Sequence, residues 1–359
     1  MKDTLFLEHF SGGMRMIKCI IWDLDNTVWD GIISEMDSVV LNQNIIKVIE
    51  EFNKRGVVNS ICSKNDYDTA KRKLIELNIW DMFIFPQINW DTKSFNVKRI
   101  VTGLHFKEED VLFVDDSEFE INEVKSVLTK INTCFPFEYE KIDSFLNGIS
   151  RIQTSEVNNR LQMYKDEVKR IDAEERLHMS RIDFLNSCNI KMIISRARVD
   201  DLERIGELIE RSHQINSTGI SIEKSKLVEM IEDEKNYDVL ISSIHDDYGD
   251  YGRAGLLVAH KSENYEIILF IVSCRLMGKG ISQALLSYTV NEIMESKYKK
   301  QIFHFKRNQY NRSMVMFIRM NNFSQGVQDD FGIEMLERCG NDRLEAPGWV
   351  EVTVENETR

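Results

Sequence analysis

The chain has 359 residues, more than one ordinary hydrophobic core takes up, so two domains are expected. Hydrophobic residues make up 42% and charged residues 29%, with only 3 prolines, which is a globular composition without long disordered linkers. Lysine plus arginine is 46 against 59 acids, a net charge of -13 that argues against long-range attraction to nucleic acid or an anionic membrane and leaves only a local basic patch for phosphates.

At the N-terminus the apolar patch Leu5-Phe6-Leu7 is broken at once by Glu8 and His9, unlike a secretory signal. No apolar run approaches the roughly 20 residues that span a bilayer. Ile267 to Cys274 reads instead as a buried strand. The cysteines (Cys19, Cys62, Cys134, Cys188, Cys274 and Cys339) are scattered without a CxxC, as free thiols of a cytoplasmic chain would be.

From Met16 to about Ile149, strands and helices alternate. Ile17 to Trp22 is a β-rich run ending in acids. Ile45 to Phe52 has helical spacing that Gly56 can stop, and Val57 to Cys62 is the next strand. Asp66 to Leu77 reads as an amphipathic helix with an aspartate cap, and Val111 to Val114 as a third buried strand, again ending in acids. Alternating β and α with strands apolar on both faces implies a parallel sheet covered by helices, whose sites lie at the strands' carboxyl ends. Residues 151–190 have no Gly or Pro and many charges, which predicts a helical, solvated linker. The second half, 191–359, opens with a strand at Lys191 to Ser195 and a helix from Leu202 to Arg211. An antiparallel hairpin follows (Asp238 to Ile244, Ala254 to His260) around the turn Asp246 to Gly252. A strand from Tyr265, the turn Gly278-Lys279-Gly280 and a helix from Ile281 to about Met294 come next.

The chemistry concentrates at the strand ends. Asp23 and Asp25, two residues apart after the first strand, can serve as nucleophile toward phosphorus and as proton shuttle. Such a pair needs a hard cation, normally magnesium. Alone, a DxD is more often a pair of capping or solvated aspartates. Its partners shift the balance: Ser63 after the second strand can bond a phosphate oxygen, Lys93 can neutralise one, and Asp115 and Asp116 can complete a metal site.

This order (DxDxT, strand-end serine, lysine, strand-end DD) resembles the haloacid dehalogenase phosphatase superfamily. The resemblance implies Asp23 as nucleophile, Asp25 as general acid/base, and Thr27, Ser63, Lys64, Asn65 and Lys93 as substrate-binding residues. Magnesium would sit on Asp23, Asp25 through its carbonyl, Asp115 through water, and Asp116. The short segments from Thr27 to Ser63 and from Ser63 to Lys93 leave no room for a large cap domain, so an open site is expected.

Cys62, next to Ser63, is either small core filling or a thiolate activated by Lys64, Lys93 and a metal. Asp-Leu-Asp-Asn-Thr-Val-Trp-Asp-Gly, Ile-Cys-Ser-Lys-Asn and Phe-Val-Asp-Asp-Ser resemble FkbH-like glyceryltransferase/phosphatases of polyketide and tetronate pathways. So do Arg211 to Thr218, Tyr248 to Gly252 and Ser273 to Gly280. Trp29-Asp30-Gly31 departs at one position, where two glycines after the tryptophan are expected. The resemblance implies that Cys62 takes a glyceryl group from 1,3-bisphosphoglycerate as a thioester. A phosphate is removed through Asp23, and the group passes to the phosphopantetheine thiol of an acyl carrier protein.

In the second half, Arg275-Leu276-Met277-Gly278-Lys279-Gly280 between strand and helix resembles the pyrophosphate loop of GNAT acetyltransferases, although as a motif it is equally a tight turn. The implied architecture is a capless parallel-sheet α/β domain (1–150), the helical linker and a GNAT-like α+β domain. The latter would hold a phosphopantetheine or coenzyme A-like group with His213, Asn216, Arg275, Gly278 and Gly280. Docking of an acidic carrier would use local cations such as Lys306, Arg307 and Arg312, which otherwise read as a solvated face. Three other readings stay open: a magnesium-dependent phosphatase in which Cys62 only packs, an acyl-coenzyme A-dependent acyltransferase, and, ranked last, a non-enzymatic carrier-binding scaffold.

Overall fold

The computed structural model describes residues 17–355 apart from 36–38, 150–153, 178, 213, 295–297, 309–310 and 340–341. Leu5 to Leu7 and His213 therefore lie outside the described residues. The chain divides into two compact units, with the boundary between Arg176 and Leu177.

The first unit runs β1 (Cys19–Trp22), β2 (Trp29–Asp30), β3 (Val40–Leu41), α1 (Gln43–Asn53), β4 (Val58–Ser63), α2 (Tyr67–Glu76), β5 (Gln87–Ile88) and α3 (Lys93–Gly103). It continues with β6 (Val111–Val114), α4 (Glu118–Val127), β7 (Asn132–Cys134), α5 (Tyr139–Asn147) and α6 (Thr154–Leu177). Five strands form one parallel sheet in the order β5-β4-β1-β6-β7, as the α/β alternation predicts. Side chains alternate along each strand, so the sheet has two apolar faces. Ile20, Trp22, Leu112 and Val114 pack with α1 and α5 residues such as Ile45, Phe52 and Ile142. Cys19, Ile21, Val58, Cys62 and Phe113 pack with α3 and α4 residues such as Val97, Ile100 and Val124. The central strand β1 pairs with β4 on one side and β6 on the other, and all three end at the same edge. That register brings Asp23, Ser63 and Asp115 together.

The stretch 151–190 differs from a separate solvated linker. Leu161, Tyr164, Val168 and Ile171 of α6 pack against the second apolar face of the first unit, and Glu167 and Arg170 form a buried ion pair. The apolar positions of α6 are sparse among charges, which hides its buried stripe in composition alone.

The second unit holds α7 (Arg181–Ser187), β8 (Ile190–Arg196), α8 (Leu202–Arg211), α9 (Lys224–Glu232), β9 (Tyr237–Asp246), β10 (Gly249–Lys261), β11 (Tyr265–Val272) and α10 (Ile281–Met294). It ends with β12 (Gln301–Phe305), α11 (Arg312–Met320), β13 (Phe323–Gln328), β14 (Glu334–Arg338) and β15 (Val350–Val354). Its mixed eight-stranded sheet has the order β13-β14-β12-β11-β10-β9-β8-β15. The hairpin turn is tighter than the glycine-rich run suggests. The Asp246 carboxylate accepts from Tyr248 N and Gly249 N at 2.9 and 3.1 Å, and the remaining glycines sit in bulges within β10.

One polar contact ties β1 to β4 and α1. Trp22 Nε1 donates to Asn59 Oδ1 at 2.8 Å, and Asn59 Nδ2 donates to Asn53 Oδ1 at 3.0 Å, with Asn59 fully buried. Asn59→Leu leaves the indole N–H of Trp22 without an acceptor, and urea denaturation should show a loss of about 2–4 kcal/mol.

Candidate active site

The site is built where β1, β4 and β6 end. After Trp22, Asp23 continues toward the cleft and Leu24 turns into the core. The amides of Thr27, Val28 and Trp29 all donate to Leu24 O, and Asn26 takes a positive φ of 54°. This tight turn carries the chain off the sheet and into the small β2–β3 hairpin.

Lys93 opens α3, where the helix dipole disfavours a cation, so the helix does not account for its placement. The carboxylates do. Lys93 Nζ donates to Asp23 Oδ1 at 2.7 Å and to Asp115 Oδ2 at 2.6 Å, and all three side chains are buried. Burial opposes the charge on Lys93, but Asp23 and Asp115 more than offset it and hold the ammonium above the ordinary lysine range. Burial pushes the Asp23 carboxyl up to about 7, Lys93 pulling it down and Asp115 adding to the rise. Burial likewise raises Asp115 against the pull of Lys93. Asp115 Oδ1 accepts from Ser117 N at 2.9 Å, and Ser117 caps α4.

Asp23, Asp115 and the exposed Asp116 each offer a carboxylate oxygen within 4.8 Å of the others. The donor set is all oxygen, as a hard cation requires. Three carboxylates against one ammonium leave two negative charges, which a divalent ion balances. The residues present therefore fit magnesium. The Asp25 carboxylate is not among these donors. Its Oδ1 accepts from Trp29 Nε1 at 2.8 Å and Ile33 N at 3.2 Å, and its Oδ2 from Asn65 Nδ2 at 3.0 Å.

Asn65 Nδ2 also lies 3.1 Å from Ser63 Oγ, so Asn65 links Asp25 to Ser63. Lys64 is half-buried and paired with Glu120 at 2.7 Å, a partner that sequence reasoning did not single out. Thr27 is fully buried, and its hydroxyl has no partner among the described residues, so it supports the turn and is not presented to substrate from solvent. Cys62 faces the core. It is fully buried, its Sγ lies 3.8 Å from Lys93 O, and burial pushes the thiol well above the usual cysteine range despite the pull of Lys93. The expected low-pKa thiolate is not what this environment favours.

Of the residues expected to bind phosphopantetheine, Asn216 is engaged within the fold. Asn216 Nδ2 donates to Ser212 O at 3.1 Å, and its Oδ1 accepts from Gly219 N at 2.8 Å. The segment around it fills the gap where β11 and β12, paired only from Tyr265 to Ile267, diverge. Ser217 N donates to Phe270 O, Lys306 N to Ser217 O, and Val272 N to Ile215 O. Gly278 and Gly280 have positive φ, as such a turn requires. However, a Cβ at Gly280 would lie 2.9 Å from both Pro347 Cγ and Trp349 Nε1, and Trp349 Nε1 donates to Lys279 O at 3.0 Å. The segment leading into β15 thus covers this side of the loop, a long-range contact that no local motif announces. Beside Gly278 stands Arg181, and Arg275 Nε lies 3.5 Å from Ser273 Oγ. Arg307 and Arg312 are exposed.

No protein-family model matches the chain, and no curated protein does. Among solved structures, similarity is found to the N-terminal, phosphatase-domain part of a Bacteroides fragilis protein complexed with Mg. Identity there is 24% over 38% of this chain and 42% of that one, with a TM-score of 0.35. A HAD-superfamily hydrolase from Ehrlichia chaffeensis is 14% identical over 38% of this chain and 100% of that one, TM-score 0.33. The PaiA N-acetyltransferase of Thermoplasma acidophilum in complex with coenzyme A is 17% identical over 41% of this chain and 98% of that one, TM-score 0.33. None of these scores bears on activity. No helix among the described residues is long and apolar enough to cross a membrane.

Two outcomes follow from the electrostatics. Magnesium should raise the melting temperature of EDTA-treated protein, by about 2–4 °C at ten or more times its Kd, and Asp116→Asn should shrink that rise. Asp23 has its pKa raised in the fold, so the native state binds the extra proton between about pH 4 and 7 and stability falls across that window as pH rises. Metal-free Asp23→Asn should therefore flatten the fall in stability between about pH 4 and 7 in denaturant titrations.

Proposed function

We propose that the first unit is a magnesium-dependent phosphoryl-transfer site acting on phosphate monoesters. The observation that carries this is the buried bridge of Lys93 between Asp23 and Asp115, with Asp116, Ser63 and Asn65 around it. Asp23 Oδ forms a bond to phosphorus as the ester P–O bond breaks, and Asp25 delivers a proton to the departing oxygen. Water then attacks phosphorus, gives its proton to Asp25, and releases phosphate and Asp23. Lys93 has three N–H donors, two of them on carboxylates, which leaves the third for a phosphoryl oxygen. Magnesium, held by Asp23, Asp115 and Asp116, would offset the carboxylate charge and polarise the phosphoryl oxygens.

The finer reading is glyceryl loading. In it the substrate is 1,3-bisphosphoglycerate, and Cys62 carries the glyceryl group to the phosphopantetheine thiol of an acyl carrier protein. The motifs around Asp23, Cys62 and Asp115 support it, and so does the position of Cys62 Sγ beside the first residue of α3. Because the thiol is buried, this step requires movement of the Cys62–Lys93 contact when substrate binds. The second unit would serve the carrier arm, and the filled gap between β11 and β12 means that the arm would have to approach elsewhere or displace residues 215–217.

Wild-type protein should release phosphate from monoesters only with magnesium, and Asp23→Asn should cut kcat by roughly 1000-fold or more. With 1,3-bisphosphoglycerate and holo-carrier, intact-mass measurement should find a glyceryl adduct on the parent and none on Cys62→Ala, which keeps its monoesterase activity. An adduct on the Cys62 variant would remove Cys62 from the transfer step.

A further inference from the structure

Trp29 is fully buried at the start of the β2–β3 hairpin, yet its one polar atom points at a reacting group. Its Nε1 donates to Asp25 Oδ1 at 2.8 Å, and Ile33 N donates to the same oxygen at 3.2 Å. Both donors come from the segment that follows the DxDxT turn. Among the described residues the other oxygen, Oδ2, meets only Asn65 Nδ2, which also reaches Ser63 Oγ. The two carboxylate oxygens are thus differentiated: one is anchored to the hairpin, the other faces the phosphate serine.

We propose that Trp29 is a positioning residue that pins Asp25 through Oδ1, so that Oδ2 is the oxygen that exchanges a proton with the leaving group. The role rests on the phosphoryl-transfer reading above. In the step concerned, the Asp23 oxygen bonds to phosphorus, the P–O bond to the leaving group breaks with its electron pair on that oxygen, and the proton on Asp25 Oδ2 moves to it. Without the indole N–H, the carboxylate is held on that side by Ile33 N alone and can rotate away from the line of transfer. A second hydrophobic anchor would not replace this, because the indole supplies direction as well as bulk.

The test separates orientation of the acid from structure by changing the leaving group. An alkoxide needs the proton, whereas dinitrophenolate leaves without it. Trp29→Phe is compared with the parent on β-glycerophosphate and on 2,4-dinitrophenyl phosphate, both with magnesium, using kcat/KM so that only steps through P–O cleavage count. The expected result is a loss of roughly 10–100-fold on β-glycerophosphate and within about threefold on the dinitrophenyl ester. If Trp29→Phe fails to fold, benzothienylalanine placed at position 29 keeps the shape of indole and removes only the N–H, and the same split is expected. Equal losses on both esters, or no loss on either, overturn the proposal. Failure of the underlying reading looks different: the parent itself would turn over neither ester, or Asp23→Asn would retain full activity.

Discussion

The first unit is organised around one buried cation. Lys93 holds Asp23 and Asp115 at 2.7 and 2.6 Å, and without it two buried carboxylates at adjacent strand ends would repel each other. Both carboxylates offset the cost of burying its charge. The bridge crosses from α3 to β1 and β6, so the same contact fixes the start of a helix and the exits of two strands. Burial pushes the Asp23 carboxyl up to about 7, with Lys93 opposing the rise and Asp115 adding to it. A divalent cation at Asp23, Asp115 and Asp116 would balance the two negative charges that one lysine leaves there.

The two aspartates of the DxD are treated differently by their surroundings. Asp23 is buried against a cation; Asp25 is half-buried and held by three neutral donors. A nucleophile and a proton carrier need such unlike settings. The tight turn on Leu24 O separates them by sending the chain off the sheet between one aspartate and the next.

Much of this was legible in the sequence. Strands apolar on both faces gave away the parallel sheet, and acids at the ends of Ile17–Trp22 and Val111–Val114 marked its active edge. The joining of Asp23, Ser63, Asp115 and Asp116 followed from the rule that such sites lie at carboxyl strand ends, whereas Lys93, which opens α3, was placed with them by the motif order of the family that the chain resembles. Contacts set by the tertiary fold were not legible. Nothing local shows that Cys62 faces the α3 side of the sheet, that α6 packs on the first unit, or that Trp349 returns from far along the chain to cover Gly280. Asn216 looks like a ligand-binding residue in its polar run, yet the run itself fills the divergence of β11 and β12. Trp29 stood in a recognisable motif, but its hydrogen bond to Asp25 depends on the hairpin, whose strands are two residues long.

On the proposed function, Asp23 becomes covalently phosphorylated in each turnover. Protein turning over β-glycerophosphate with magnesium can be acid-quenched, reduced with borohydride and mapped by peptide mass spectrometry. An aspartyl phosphate at Asp23 predicts homoserine at position 23 and at no other aspartate. Phosphate release with no reducible acyl phosphate, or with homoserine at a different position, would contradict the account.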